Sequence, residues 1–263
     1  MFRSSVLLAL LCGASAAHAE LRDYCPDRPG IGAPTCTIDP GHVSFEVGIA
    51  DWTLDKAAGE RTDTVLAADL LARIGIGAAT ELQIGWTGYG RERDRDVSGA
   101  VGIAHHIGDA TIGLRQNLQN PDGSGLSFAV TPFVSLPIGR QPIGDGTWSG
   151  GMTGSASVPL NDVFALTLTS EVDAAANESG HGRHLAYSSV EGISAKLSKA
   201  LTMAIEYQAL RDRDPGRHAT MQLAGLSMGW QPKGDLQIDL GANVGLDHRT
   251  PDVEVYFGVS RRF

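Results

Sequence analysis

Val43-Ser44-Phe45-Glu46-Val47-Gly48-Ile49-Ala50 alternates greasy side chains with small or charged ones, residue by residue. Successive side chains of a strand point to opposite faces, so this stretch makes one apolar and one polar face. The same split returns downstream. Leu66, Ala68, Leu70, Ala72 and Ile74 oppose Asp69 and Arg73; Leu82, Ile84 and Trp86 oppose Glu81, Gln83 and Thr87; Ile112 and Leu114 oppose Thr111, Arg115 and Asn117. Further on, Phe164, Leu166 and Leu168 oppose Glu171, and Leu201, Met203, Ile205 and Tyr207 oppose Glu206 and Gln208. The last two segments set Leu236, Ile238 and Leu240 against Asp239 and Asn243, then Val253, Val255 and Phe257 against Glu254.

Twelve strands are read, near residues 42–52, 62–74, 80–90, 108–118, 125–136, 147–159, 163–173, 185–198, 201–211, 218–230, 235–247 and 252–263. A soluble sandwich gives the same alternation, and the links separate the two. Tight links fall after the even strands, whereas longer, more charged ones fall after the odd strands, at 53–61, 91–96, 137–146, 174–184, 212–217 and 247–251. Short turns on one rim and long loops on the other is the asymmetry of an outer-membrane barrel. The expected fold is therefore all-β: a single antiparallel up-and-down transmembrane β-barrel of about 12 strands over 42–263. Its last strand must pair with its first, because an open edge in lipid leaves unsatisfied backbone groups. Two segments break phase, which predicts β-bulges near Glu191-Gly192, turning that carboxylate inward, and at Ala224-Gly225. Trp86, Trp148, Phe164, Tyr207, Trp230 and Phe263 are expected near the two membrane interfaces.

Composition agrees. The 33 glycines are spread along the chain, as suits strands passing closely. Past the first residues no apolar run reaches the length of a spanning helix. Thirty acidic against 21 basic residues argue against nucleic acid as a partner. The first residues read as an export signal over 1–19, with Arg3, an apolar core from Val6 to Leu11, and the small-x-small site Ala17-His18-Ala19. Cys12 is expected to leave with it, since Leu11 stands where a lipoprotein needs a small residue. Cys25 and Cys36 then remain in an oxidising compartment and are expected to form a disulfide. They lie in residues 20–41, a Pro- and Gly-rich stretch read as an N-terminal periplasmic segment.

Several short motifs, in order, resemble a known family. They are Asp27-Arg28-Pro29-Gly30, Ala33-Pro34-Thr35 and Asp39-Pro40-Gly41-His42 leading into Phe45-Glu46-Val47-Gly48; then Gly108-Asp109-Ala110-Thr111-Ile112-Gly113-Leu114, Pro132-Phe133-Val134-Ser135-Leu136-Pro137-Ile138-Gly139, and Phe257-Gly258-Val259-Ser260 before Phe263. Together they resemble the outer-membrane transporters named for the meta-pathway of phenol degradation. That resemblance implies an outer-membrane barrel passing hydrophobic or aromatic compounds. The cysteine pair departs from the family pattern.

The inward, lumen-lining set is read as Glu46, Asp69, Arg73, Glu81, Arg115, Asn117, Glu171, Glu206, Gln208, Asp239, Asn243 and Glu254. Acids outnumber the two arginines, so an open lumen would favour cations or neutral solutes. The competing reading is that Arg73 and Arg115 pair with those carboxylates and knit a filled, structural or adhesive barrel. His105, His106, His181 and His184 fall near the outer links, where solvated histidines outnumber metal ligands. A surface hydrolase would need a nucleophile; no Gly-x-Ser-x-Gly elbow is present, and Ser188 or Ser189 near His184 is a chance spacing. No cofactor, metal or catalysis is expected. The expected partners are outer-membrane lipid, lipopolysaccharide phosphates meeting the charged run 91–96, a small-molecule solute, and the barrel-assembly machinery, which reads a final strand ending in an aromatic such as Phe263.

Overall fold

The computed structural model describes residues 21–263; the expected signal segment, 1–19, lies outside them. In chain order its strands are β1 (Val43–Ala57), β2 (Glu60–Gly77), β3 (Thr80–Arg95), β4 (Val101–His106), β5 (Ala110–Gln119), β6 (Ser127–Leu136), β7 (Ser149–Pro159), β8 (Phe164–Ala176), β9 (Arg183–Lys196), β10 (Leu201–Arg213), β11 (His218–Lys233), β12 (Leu236–Gly245) and β13 (Val253–Arg262). All pairings are antiparallel, and β1 pairs with both β2 and β13, which closes the sheet. β3 pairs with β5 over Thr80–Trp86 and with β4 over Gly90–Arg95. β4 and β5 thus share one place in the wall, interrupted at 107–109, and the closed barrel has twelve places.

The outer face is the apolar one. Phe45, Ile84, Leu114, Leu166, Ile205, Leu240 and Phe257 are exposed, while their alternates Glu46, Arg115, Glu206, Asp239 and Tyr256 are buried. Such inversion is stable only where the exterior solvent is hydrocarbon. Phe45, Phe263, Phe164 and Trp230 mark the rim of short turns, with Phe45 and Phe263 packed edge to face at 6.1 Å. Trp52 and Tyr89 stand toward the opposite rim, as interface anchors do. Tyr207 departs from the expected girdle: it sits at mid-wall, opposite Glu191 and Ala224.

The structure corrects several local expectations. Residues 53–61 and 91–96 are mostly strand: β1 and β2 join through a two-residue turn at 58–59, where Ala58 and Gly59 have φ of 52° and 91°, the left-handed pair a tight hairpin requires. Charge alone misread these segments, because cross-strand pairing carries the hairpin above the membrane level. The bulges also lie elsewhere. The β9 and β11 ladders run without a register shift through Glu191-Gly192 and Ala224-Gly225, whereas β1 shifts between Gly48 and Ala50, and Ala68 of β2 has φ of 53°. Val190, Met221 and Leu223 accordingly face inward, and Glu191 faces out between Leu168 and Tyr207.

A carboxylate on the lipid face is destabilising by less than a lysine or arginine at the same depth, but by a measurable amount. Glu191→Leu is expected to raise stability by about 1–2 kcal/mol, read as a shifted urea midpoint for folding into vesicles, with Glu191→Gln giving a smaller gain. An unchanged or lowered midpoint for Glu191→Leu would place that side chain outside the hydrocarbon.

Candidate functional site

The lumen is shared between the wall and the N-terminal segment. Of residues 20–41, expected as an N-terminal periplasmic segment, Arg22 and Asp39 stand at the short-turn rim beside Ala78 and Arg262, and the stretch between them enters the barrel as a loop closed by the Cys25–Cys36 disulfide, whose Cα atoms are 6.4 Å apart. The loop starts at β1, where the backbone N–H groups of Asp27 and Arg28 donate to Glu46 at 2.9 Å. It passes β12 and β13, where Arg28 pairs with Asp239 at 3.1 Å and Tyr256 donates to the Pro29 carbonyl at 2.7 Å. It reaches β10 and β8, where Ile31 and Gly32 donate to Glu206 at 2.7 and 3.0 Å and Ala33 to Thr169 at 3.0 Å. It returns along β5 and β3, where Asn117 donates to the Thr35 carbonyl and Ile38 donates to Glu81 at 2.7 Å.

The physical logic is reciprocal. A Pro- and Gly-rich loop forms no ladder, so its N–H groups are free, and buried carboxylates need donors. Each supplies what the other lacks.

Arg73, fully buried, is the post of this arrangement. It pairs with Glu81 at 2.8 Å and Glu46 at 3.1 Å, and donates to the carbonyls of both bridged cysteines, Cys25 at 2.7 Å and Cys36 at 3.1 Å. Arg115 joins from β5, 2.7 Å from Asp27 and 3.3 Å from Glu81. Burial works against the Asp27 carboxylate, but the Arg115 and Arg73 guanidiniums outweigh it and hold this group below the usual carboxylate range. Space for the loop comes from small wall residues. A Cβ at Gly258 would overlap the Arg28 guanidinium, and one at Gly225 would lie 2.7 Å from Ile31 Cδ1.

The loop fills one side of the lumen and leaves a cavity of about 400 Å³ on the other. Ile31 of the loop, Leu71, Thr111, Phe133, Thr153 and Glu171 are on its walls. Above the loop, toward the long-link rim, the inward faces of β10 and β11 carry Leu210, Met221 and Leu223.

All twelve residues read from the alternation fall on the inward face. Glu46, Arg73, Glu81 and Arg115 form one cluster; Asp239 and Glu206 meet the loop separately, and Asn117 bonds both the loop and Ser127. The others do not join them. Thr87 donates to Asp69, Thr153 to Glu171 and Asn243 to Glu254, while Gln208 stands between Val190 and Leu223. Asp27, Arg28, Leu71 and Phe133 were missed, although an interior with surplus carboxylates beside a loop carrying Arg28 and free N–H groups was a readable signal.

The histidines do not converge. His105 bonds Tyr89 at 2.9 Å, His184 lies 2.9 Å from Asp212, and among the described residues no group of three His, Cys, Asp or Glu could hold a metal. Ser188 shares the inward face of β9 with His184 but four residues away, roughly 13 Å along a strand, and Ser189 faces out.

Solved structures with a similar fold are outer-membrane barrels. The COG4313 outer membrane channel from Pseudomonas putida F1 superposes with a TM-score of 0.70 at 12% identity, covering 90% of this chain and 99% of that one. The KdgM porin in complex with disordered oligogalacturonate gives 0.52 at 8% identity over 84% of this chain and 99% of that one, and the translocator domain of the autotransporter NalP from Neisseria meningitidis 0.51 at 14% over 84% and 88%. At such identities the likeness is one of fold. No curated protein matches the sequence. The family described as "Putative MetA-pathway of phenol degradation" matches residues 26–263, and the chain belongs to it.

Proposed function

We propose that this protein is a passive outer-membrane transporter for small hydrophobic or aromatic solutes, with residues 21–42 narrowing its passage. The observation that carries this reading is the apolar surface turned into the lumen: Leu210, Met221 and Leu223 above the loop, then Phe133, Leu71 and Ile31 at the cavity, while Val190 is buried against the loop at Gly32. A water-filled pore for hydrophilic solutes has a polar interior, and binding sites for organic molecules are mostly apolar with a few polar groups. Of the seven inward carboxylates read from the alternation, four are already engaged by cations or loop amides, whereas Asp69, Glu171 and Glu254 bond only the neutral Thr87, Thr153 and Asn243. Glu46 and Glu81 are matched by Arg73 and Arg115, Asp239 by Arg28, and Glu206 by two backbone N–H groups.

The filled-barrel reading is favoured by that same charge network, since every carboxylate in it is satisfied. Breaking a buried pair by removing one partner is strongly destabilising, which is how a fixed scaffold behaves. The two readings part at transport. On the pore reading, proteoliposomes accumulate a small phenol faster than empty vesicles, and Phe133→Glu with Met221→Glu abolishes the difference while the barrel still folds. A rate equal to that of empty vesicles would leave the filled scaffold standing.

Loosening the loop gives a second measurement. Glu206→Ala removes the acceptor for Ile31 and Gly32, and Cys25→Ser with Cys36→Ser frees the loop from its bridge. Either change is expected to raise single-channel conductance in planar bilayers severalfold above the wild type; unchanged conductance would mean that the loop does not set the bore.

For assembly, the β1–β13 seam ends with Phe263 exposed against Phe45. This supports recognition of the final strand by the barrel-assembly machinery, and Phe263→Ala is expected to lower the folded outer-membrane yield without altering the barrel that does form.

A further inference from the structure

The run Arg91-Glu92-Arg93-Asp94-Arg95 belongs to β3, not to a loop, and a strand sorts alternating charges by face. Directly paired residues share a face, so the ladder tells which way each points. Trp52 pairs with Val255, an exposed outer-wall residue, and with Val65; Val65 pairs with Arg91, Asp63 with Arg93, and Arg61 with Arg95. The arginines therefore point outward. Glu92 and Asp94 pair with Thr64 and Thr62 and point the other way, with Thr62 donating to Asp94 at 2.9 Å. Lys56, opposite Arg61, completes an outward row.

On a chain of net charge −9, this outer flank of β1 to β3 gathers Lys56, Arg61, Arg91, Arg93 and Arg95 around a single acid, Asp63. Asp63 is engaged by Arg61 at 2.7 Å and Arg93 at 3.7 Å; among the described residues Arg91 and Arg95 have no ion pair. Arg61 and Arg95 are direct cross-strand partners, an arrangement that costs stability unless an anion lies between them.

Depth and neighbours identify the anion. Trp52 donates to Asp63 at 3.4 Å and Tyr89 bonds His105 at 2.9 Å, so the basic rows begin directly above the aromatic anchors of the outer rim. Arg91 is two residues past Tyr89, and each further pair of residues climbs about 7 Å along the strand. Beside the arginines, on the same face of β4, Ile103 pairs with Arg93 and Val101 with Arg95, and both are about half exposed. A free phosphate would cover the charges and leave that apolar surface wet. A phosphorylated lipid covers both.

We propose that the outward face of β2, β3 and β4, through Arg61, Arg91, Arg93 and Arg95 with Ile103 and Val101 beside them, is a binding site for the phosphorylated head of an outer-leaflet glycolipid, lipid A. Guanidinium forks spaced along a strand suit phosphate oxygens better than ammonium groups do, because each can donate two parallel hydrogen bonds.

The test uses the full-length barrel in detergent, titrated with bisphosphorylated lipid A, fully dephosphorylated lipid A, phosphatidylglycerol and inorganic phosphate, with bound lipid counted by native mass spectrometry. Wild type is expected to retain bisphosphorylated lipid A at least tenfold more tightly than the dephosphorylated form or phosphatidylglycerol. Arg61→Gln, Arg91→Gln, Arg93→Gln and Arg95→Gln together are expected to remove that preference, and Glu92→Gln with Asp94→Asn, on the opposite face, to preserve it. Should the quadruple variant not fold, Arg91→Lys with Arg95→Lys keeps the charge, loses the fork, and is expected to weaken retention severalfold. Equal retention by wild type and the folded arginine variants would overturn the site. Equal affinity for inorganic phosphate or phosphatidylglycerol would overturn its assignment to lipid A. These outcomes do not depend on solute uptake, so the pore reading stands or fails separately.

Discussion

In hydrocarbon no water satisfies a stray N–H or C=O, and that constraint organises the whole molecule. It makes the sheet close through β1 and β13, and it turns the greasy side of each strand outward. Once the wall is closed, every alternate residue is confined to an interior that must be filled, solvated or neutralised. Glu46, Arg73, Glu81, Arg115, Glu206 and Asp239 are all consequences of that confinement.

The interior resolves its charge by borrowing. Two arginines from the wall cannot match its carboxylates, and the N-terminal loop engages Asp239 through Arg28 and Glu46, Glu81 and Glu206 through backbone N–H groups, while Asp69, Glu171 and Glu254 keep neutral wall partners. The loop in turn has no fold of its own; its shape comes from the disulfide, from Arg73 bound to both cysteine carbonyls, and from the carboxylates that collect its amides. Buried ion pairs of this kind add little net stability but fix one arrangement among many, because any other leaves a charge unpaired. The loop is thereby held to one side, and the space left on the other is bounded by small and apolar residues.

The same period-two rule acts above the membrane with a different result. Within the bilayer it separates apolar from polar; in the β1–β4 extension it separates basic from acidic, sending arginines toward the lipid headgroups and Glu92 and Asp94 toward the mouth of the lumen. A chain acidic overall thus presents a basic flank to its surroundings.

Alternation between Val43 and Phe263 determined the barrel, its twelve places and the inward direction of all twelve polar residues read from it, because a side chain's face follows from strand position alone. The same rule failed where the backbone slips. Sequence cannot locate the register shift at Ile49 or the left-handed Ala68, so the faces of Leu66 and Ala68 came out wrong, while the undisturbed ladder at Glu191 leaves a carboxylate facing lipid. Charge composition could not tell a loop from a strand at 91–96, since only the pairing with β2 and β4 decides it. Nor could the Pro- and Gly-rich residues 21–41 reveal that they enter the lumen: their contacts lie as far as 240 positions away in the chain, and only closure of the wall brings Asp239 and Glu206 within reach of Arg28 and Ile31.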